Sequence, residues 1–119
     1  MEKIETNIEA IVNPSHPPII GVVKLAATGS ALKAGTVLKI SSGAYAAAGN
    51  SDTPAAVLLE DVSEHASAAV NGRVLFHGLA VESRLLNASQ EAPNSTLLGK
   101  LPGIGIYLTQ AGWTDSKFE

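Results

Sequence analysis

The sequence predicts a single, mainly β domain with at most one short helix and an extended N-terminal arm. The chain has 119 residues, enough for one domain. Short apolar stretches recur between turns rich in Gly, Ser, Asn and Asp. Apolar and polar residues alternate about Leu38 and Ile40, which is the period of a strand. Because only 4% of residues are aromatic, the core is thin, and we expect partner subunits to add stability.

The first 18 residues differ from the rest of the chain, and we predict that they form an arm preceding a domain of residues 19–119. The apolar residues of this arm are Ile4, Ile8, Ile11 and Val12. They are followed by three prolines, Pro14, Pro17 and Pro18. The apolar spacing would suit a helical stripe, but the prolines interrupt any continuation. Either the arm is an extended chain end or it becomes ordered on the surface of a partner.

Six segments of the domain are predicted to be strands. In chain order they are 19–27, 36–41, 44–49, 55–62, 72–81 and 103–110. The fourth, which begins "AAVLL", is apolar without alternation and is therefore expected to be buried on both faces. The segment "ESRLLNASQ", residues 82–90, is the one short stretch whose pattern favours a helix.

Composition excludes several classes of partner. The net charge is −3, and the Lys and Arg residues are scattered singly, so we expect no nucleic-acid partner. No apolar run approaches the roughly 18 residues of a membrane span, and the charged N-terminus lacks the apolar core of a signal peptide. The chain has no cysteine, which removes disulfides and thiolate metal sites. We expect a soluble protein that is made in the cytoplasm and does not associate with membranes.

Two short motifs resemble catalytic or cofactor signatures but lack their context. Ser30 and Lys33 have the Ser-x-x-Lys spacing of penicillin-recognising acylases, which place both residues on a helix. Here the flanking Gly29 and Gly35 favour a turn, and no companion motif follows. The segment 103–105, Gly-Ile-Gly, lacks the third glycine and the following helix of a dinucleotide-binding loop.

The acidic and histidine residues do not form a catalytic or metal-binding pattern. Glu60 and Asp61 are adjacent, so in a strand their side chains point to opposite faces, and we interpret them as a solvated strand end. His16, His65 and His77 lie far apart, and none is paired at helical spacing. His77 is expected to be a partly buried, hydrogen-bonded strand residue. We therefore predict no enzymatic activity, no metal site and no cofactor.

Four segments in a fixed order resemble a known family. They are "ALKAGTVLKISSGAYAAA", "DTPAAVLLEDV", "GRVLFHGLAV" and the late "GIGIYL". Together they cover residues 19–110 in outline, and their order is similar to that of the bacteriophage head decoration proteins of the lambda head-stabilising protein D type. The stretch after the His77 strand is shorter and less helical than in many members, and residues 111–119 extend past the last strand.

The resemblance implies a small barrel or sandwich-like fold of the β-tulip type. It also implies a homotrimer that binds the major capsid protein on the outer surface of the expanded head and stabilises the shell. On this interpretation the protein is part of the virion, and the arm residues named above supply capsid contacts. The alternative is a small β-domain that binds a ligand or a polysaccharide, since "LKAGTVL" also suits barrel and sandwich modules of that kind.

Overall fold

The fold is organised by one long strand, β6, which pairs with four of the other strands. The computed structural model describes residues 12–13 and 18–109. The strands are β1 (Val12–Asn13), β2 (Ile19–Leu25), β3 (Val37–Ser41), β4 (Ala44–Ala47), β5 (Ala56–Leu58), β6 (Val70–Val81) and β7 (Ile106–Thr109). The predicted single, mainly β domain is confirmed.

The first half of β6 belongs to a sheet that closes on itself. β6 pairs with β2, β2 with β4, β4 with β3, β3 with β5, and β5 again with β6. All of these pairings are antiparallel except that of β2 with β4, which is parallel and joins only Leu25 and Tyr45. The expected barrel-like closure is therefore present, and its weakest seam lies between β2 and β4.

The second half of β6 extends out of the ring and carries the two terminal strands. β1 pairs antiparallel with Leu79 and Ala80, and β7 pairs in parallel with residues 78–81. Gly78 has a φ of +142°, and a side chain there would press against Pro18, so the extension depends on a glycine at this point. The ring and the extension together form one continuous set of paired strands.

Two layers of buried side chains lie on opposite sides of the sheet. The inner layer fills the ring, and its fully buried members are Leu25, Leu38, Ala56, Leu58 and Val74. The outer layer lies between the outside of β3, β5 and β6 and the later part of the chain. Its members include Val37, Val57, Leu75, Leu85, Leu97, Leu101 and Ile106. Neighbouring residues of one strand supply different layers, as strand alternation requires.

The outer layer requires an apolar cover, and residues 82–106 provide it. This segment contains a 3₁₀ turn at Glu82–Arg84, a short helix α1 at Ser95–Leu98 and a second 3₁₀ turn at Leu101–Ile104. Asn94 caps α1, since its side chain accepts a hydrogen bond from the Leu97 amide at 3.0 Å. The short cover closes the outer layer without any long helix.

The predicted helix over 82–90 is wrong in position, although the fold does contain one short α-helix. After Arg84 the chain becomes extended, and Leu86 exchanges backbone hydrogen bonds with Gly35 and Val37. This pairing satisfies the backbone and directs Leu85 into the outer layer. The helical pattern of apolar residues therefore yielded to pairing with the edge of the sheet, an interaction between residues distant in sequence.

Candidate functional site

The adjacent carboxylates Glu60 and Asp61 hold the backbone at the end of β5. Glu60 Oε2 accepts the amide of Arg73 at 2.8 Å, and Asp61 Oδ1 accepts the amide of Ala34 at 2.8 Å. The two carboxylates bind segments 39 residues apart in sequence, so they do not converge on one point. The predicted strand over 55–62 is shorter in the structure, where β5 ends at Leu58.

His65 joins the loop after β2 to the loop after β5. Its Nδ1 lies 2.7 Å from the Ser63 carbonyl oxygen, and its Nε2 lies 3.0 Å from the carbonyl oxygen of Ala26. The backbone of His65 also exchanges hydrogen bonds with Thr28. Both ring nitrogens therefore face protein oxygens, which makes this imidazole a structural link between loops. His16 lies outside the described residues.

His77 lies at the start of the β6 extension, where it contacts an aromatic ring. It is partly buried, as predicted, and its imidazole packs edge-on against Tyr107 with ring centroids 6.1 Å apart. Ile19 is the partner of His77 where β2 pairs with β6. Tyr107 lies on β7, on the other side of β6, opposite Leu79. Residues 12–13 and 18–109 contain no group of three His, Cys, Asp or Glu side chains placed to hold one metal ion.

The two short motifs have structural roles. Ser30 and Lys33 lie in a loop without helix, and the Lys33 amide donates to Gln90 Oε1 at 3.0 Å. The Gly-Ile-Gly of residues 103–105 ends a 3₁₀ turn, with Gly105 at φ +90° directly before β7. A side chain at Gly105 would collide with the His77 imidazole, so this glycine permits the close approach of β7 to β6.

One shallow pocket lies on the cover segment and has a volume of about 170 Å³. Its lining consists of Glu82, Ser83, Leu85, Ala92, Pro93 and Leu98. Pockets that enclose drug-sized ligands usually measure about 300–1,000 Å³. The volume of this pocket lies below that range. No helix among the described residues is long and apolar enough to cross a membrane.

A charged cluster fixes the loop that connects β4 to β5. Asp52 Oδ2 accepts the Gly49 amide at 2.8 Å and the Lys39 ammonium at 3.1 Å. Lys100, from the cover segment, donates to the carbonyl oxygens of Ser51 and Asp52. The hydrogen bond from Gly49 and then the Lys39 ammonium lower the pKa of Asp52. The cluster ties the cover to the ring.

The arm residues named from the sequence are only partly described. Ile4, Ile8, Ile11, Pro14 and Pro17 lie outside the described residues. The backbone of Val12 pairs with Ala80 of the same chain. Pro18 is half-buried beside Gly78. The described part of the arm therefore lies along the β6 extension, and β2 begins directly after it.

The start of β1 and the end of β7 lie at the same end of β6. Asn13 lies opposite Leu79 and Val12 opposite Ala80, so β1 begins near the end of β6. β7 is parallel to β6 and ends at Thr109, opposite Val81. We call this end, formed by β1, β7 and the extension of β6, the terminal end.

Most of the exposed apolar side chains lie on β2 and at the terminal end. The large ones among the described residues are Ile19, Ile20 and Val22 on β2, Tyr107 on β7 and Ile40 on β3. Ile19 is 58% exposed and Tyr107 is 43% exposed, and both flank His77. The sequence did not indicate this exposure, because β2 reads "IIGVV", with apolar residues on both faces. Among the described residues, the cover segment packs on β3, β5 and β6 and leaves the outer side of β2 exposed.

No family model and no curated protein matches this chain. The chief features of the described surface are the terminal end, the apolar residues beside it and the open side of β2.

Proposed function

We propose that this chain is a phage capsid decoration protein that binds the outer surface of the expanded head as a homotrimer and stabilises it. Its proposed partners are the major capsid protein and further copies of itself. The role is structural and requires neither a cofactor nor catalysis. The protein would be made in the host cytoplasm and become part of the virion.

The observation that carries this proposal is that β1 begins and β7 ends at one end of the domain, beside exposed apolar side chains. A cement protein needs one face rich in contacts, and the terminal end combines the arm with Ile19 and Tyr107. The isoleucines Ile4, Ile8 and Ile11 are the proposed anchors of the arm on the shell. The segment similarity described from the sequence supports the same function.

Trimer formation would strengthen attachment without requiring strong individual contacts. Once one arm has bound, the other two bind at an effective concentration set by the tether, commonly in the millimolar range. Extended arms that pair with an exposed strand obtain affinity from main-chain hydrogen bonds, which demand little of the sequence. A small domain whose individual contacts are weak can therefore stabilise the shell when three copies bind together.

The test is binding to expanded heads that lack this protein. The full chain should decorate the heads and raise the temperature at which they rupture. A chain without residues 1–11 retains β1 and should melt like the full chain, yet bind heads at least about tenfold more weakly because three tethers are lost. Equal decoration by the truncated chain would place the contact elsewhere. Full-length protein that does not bind heads but binds a polysaccharide would favour the alternative module.

A further inference from the structure

The side of β2 that faces away from β6 is open over most of its length. Among the described residues, β4 pairs with β2 only at Leu25. The stretch 19–24 thus has one row of backbone N–H and C=O groups without a strand partner in the described part of the chain. Such an edge is a template for another strand.

The side chains on this edge protect it only in part. Native edges carry charges, prolines or bulges along their length. Here Lys24 is exposed and the register shifts between Ile19 and Ile20, but Val22 is 63% exposed and Ile19 is 58% exposed. Across β6, Val22 lies opposite Arg73, and Lys24 lies two residues further along β2, so two basic residues lie near this apolar side chain. This composition suits an extended segment that carries an apolar residue and an acidic residue.

The C-terminal segment, residues 110–119, has this composition. It contains the single tryptophan, Trp113, followed two residues later by Asp115. Residues two apart lie on one face of a strand, as do Val22 and Lys24. In a parallel register, Trp113 would lie beside Val22 and Asp115 beside Lys24. Tryptophan is also the residue type most enriched among energetic anchors of interfaces.

The proposed register places the segment on a neighbouring molecule. In one chain, Thr109 and Val22 lie opposite β6 residues eight positions apart, Val81 and Arg73, which is about 26 Å along the strand. Trp113 is four residues after Thr109 in sequence, a reach of at most about 14 Å. Trp113 can therefore lie beside Val22 only of another copy.

We propose that residues 110–119 of one copy add as a strand to the open edge, residues 19–24, of the next copy. The contact joins two different surfaces, and contacts of this kind close into rings when the rotation permits. Three copies would form the homotrimer. Only this number of copies rests on the proposed function. The N-terminal arms would remain available for the shell.

The experiment tests complementation between two defective chains by sedimentation velocity. One chain lacks residues 110–119 and retains the edge, while the other carries Val22→Lys and retains the segment. Val22→Lys places a second ammonium beside Lys24 and removes the apolar contact. Each chain alone should be monomeric where the full chain is a trimer, and an equimolar mixture should form a heterodimer. Ile40→Lys, a matched change at a 61% exposed site on β3, should leave the trimer intact.

A peptide titration locates the contact. A synthetic peptide of residues 110–119, added to the truncated ¹⁵N-labelled chain, should shift the amides of residues 19–24. Val22→Lys in that chain should weaken binding at least about tenfold, the loss expected of a central anchor. Shifts elsewhere, a response to a peptide of residues 1–11 instead, or unchanged assembly without residues 110–119 would overturn the proposal. Because no heads are used, failure of shell binding with intact complementation would refute decoration and leave this contact standing.

Discussion

The outside of the ring differs between its two sides. On the side of β3, β5 and β6, the cover segment buries Val57 and Leu75 completely. On the side of β2, Val22 is 63% exposed, and Ile20 is 37% exposed. Both sides are built from strands of similar apolar content. The difference is that, within the described residues, the cover segment packs over only one of them.

This difference separates residues that stabilise the fold from residues that are free to bind partners. Apolar area that the chain itself buries contributes about 25 cal/mol per Å² to folding. Apolar area left exposed by the monomer contributes only when a partner covers it. The covered side therefore accounts for stability, and the uncovered side together with the terminal end accounts for the proposed assembly.

A large loss of stability is expected on the covered side, from Leu75→Ala. Leu75 is fully buried in the outer layer, so the change leaves a cavity and should lower the free energy of unfolding by about 2–5 kcal/mol. Urea denaturation followed by circular dichroism measures this loss. A cost below about 0.5 kcal/mol, typical of surface positions, would show that the cover does not pack on β6.

Glycine substitutions test where the cover meets the ring. Gly35 has a φ of +100°, and a side chain there would collide with the Arg84 carbonyl group. Gly43 has a φ of +83° but faces open space. Both alanine variants incur the backbone strain of about 1–3 kcal/mol, and Gly35→Ala should cost roughly 2 kcal/mol more because of the collision. Equal melting temperatures for the two variants would contradict this placement of Arg84.

A matched pair of valines compares the two sides directly. Val57→Ala removes two buried carbon atoms and should cost about 1.5 kcal/mol or more. Val22→Ala removes the same atoms from an exposed site and should change stability by less than about 0.5 kcal/mol. The urea midpoints of the two variants compare the same Val→Ala change on the two sides of the ring. If Val22→Ala in the monomer costs as much as Val57→Ala, the β2 side is covered and the distinction fails.

The sequence predicted the strands better than the cover. Alternation and turn residues indicated β3, β4 and the long β6, because those signals are local to each strand. The helix predicted over 82–90 failed because Leu86 pairs with Gly35 and Val37, about fifty residues earlier. The role of Asp61 was missed for the same reason, since its partner Ala34 is distant in sequence.

The candidate surface could be predicted only in part. The arm was evident from its isoleucines and prolines, which are read directly from the sequence. The open edge of β2 was not, since exposure there depends on β4 pairing with it at Leu25 alone. The position of the start of β1 and the end of β7 at one end of β6 likewise follows from the antiparallel register of β1 and the parallel register of β7. The direction in which two strands pair depends on both of them, so the sequence of one strand does not predict it.

The smallest expected effect concerns the attachment of the cover by the Asp52 cluster. The Gly49 amide and the Lys39 ammonium lower the pKa of Asp52 in the folded state, so the unfolded chain binds its proton more readily. The stabilisation is therefore complete above about pH 4, the range of an unperturbed aspartate, and is lost as the pH falls through the lowered pKa. Unfolding free energies from pH 6 to pH 2 should fall less steeply for Asp52→Asn than for the parent chain. Identical slopes would show that this cluster does not contribute.

The orientation of the protein on the shell tests the central claim most directly. A cryo-electron microscopy map of expanded heads decorated with the full chain would show which end of the domain faces the capsid protein. We expect the terminal end, with Ile19, Tyr107 and strands β1 and β7, to lie against the shell and the arms to continue into capsid density. A map in which this end points to solvent, with the ring and the cover segment against the shell, would contradict the account.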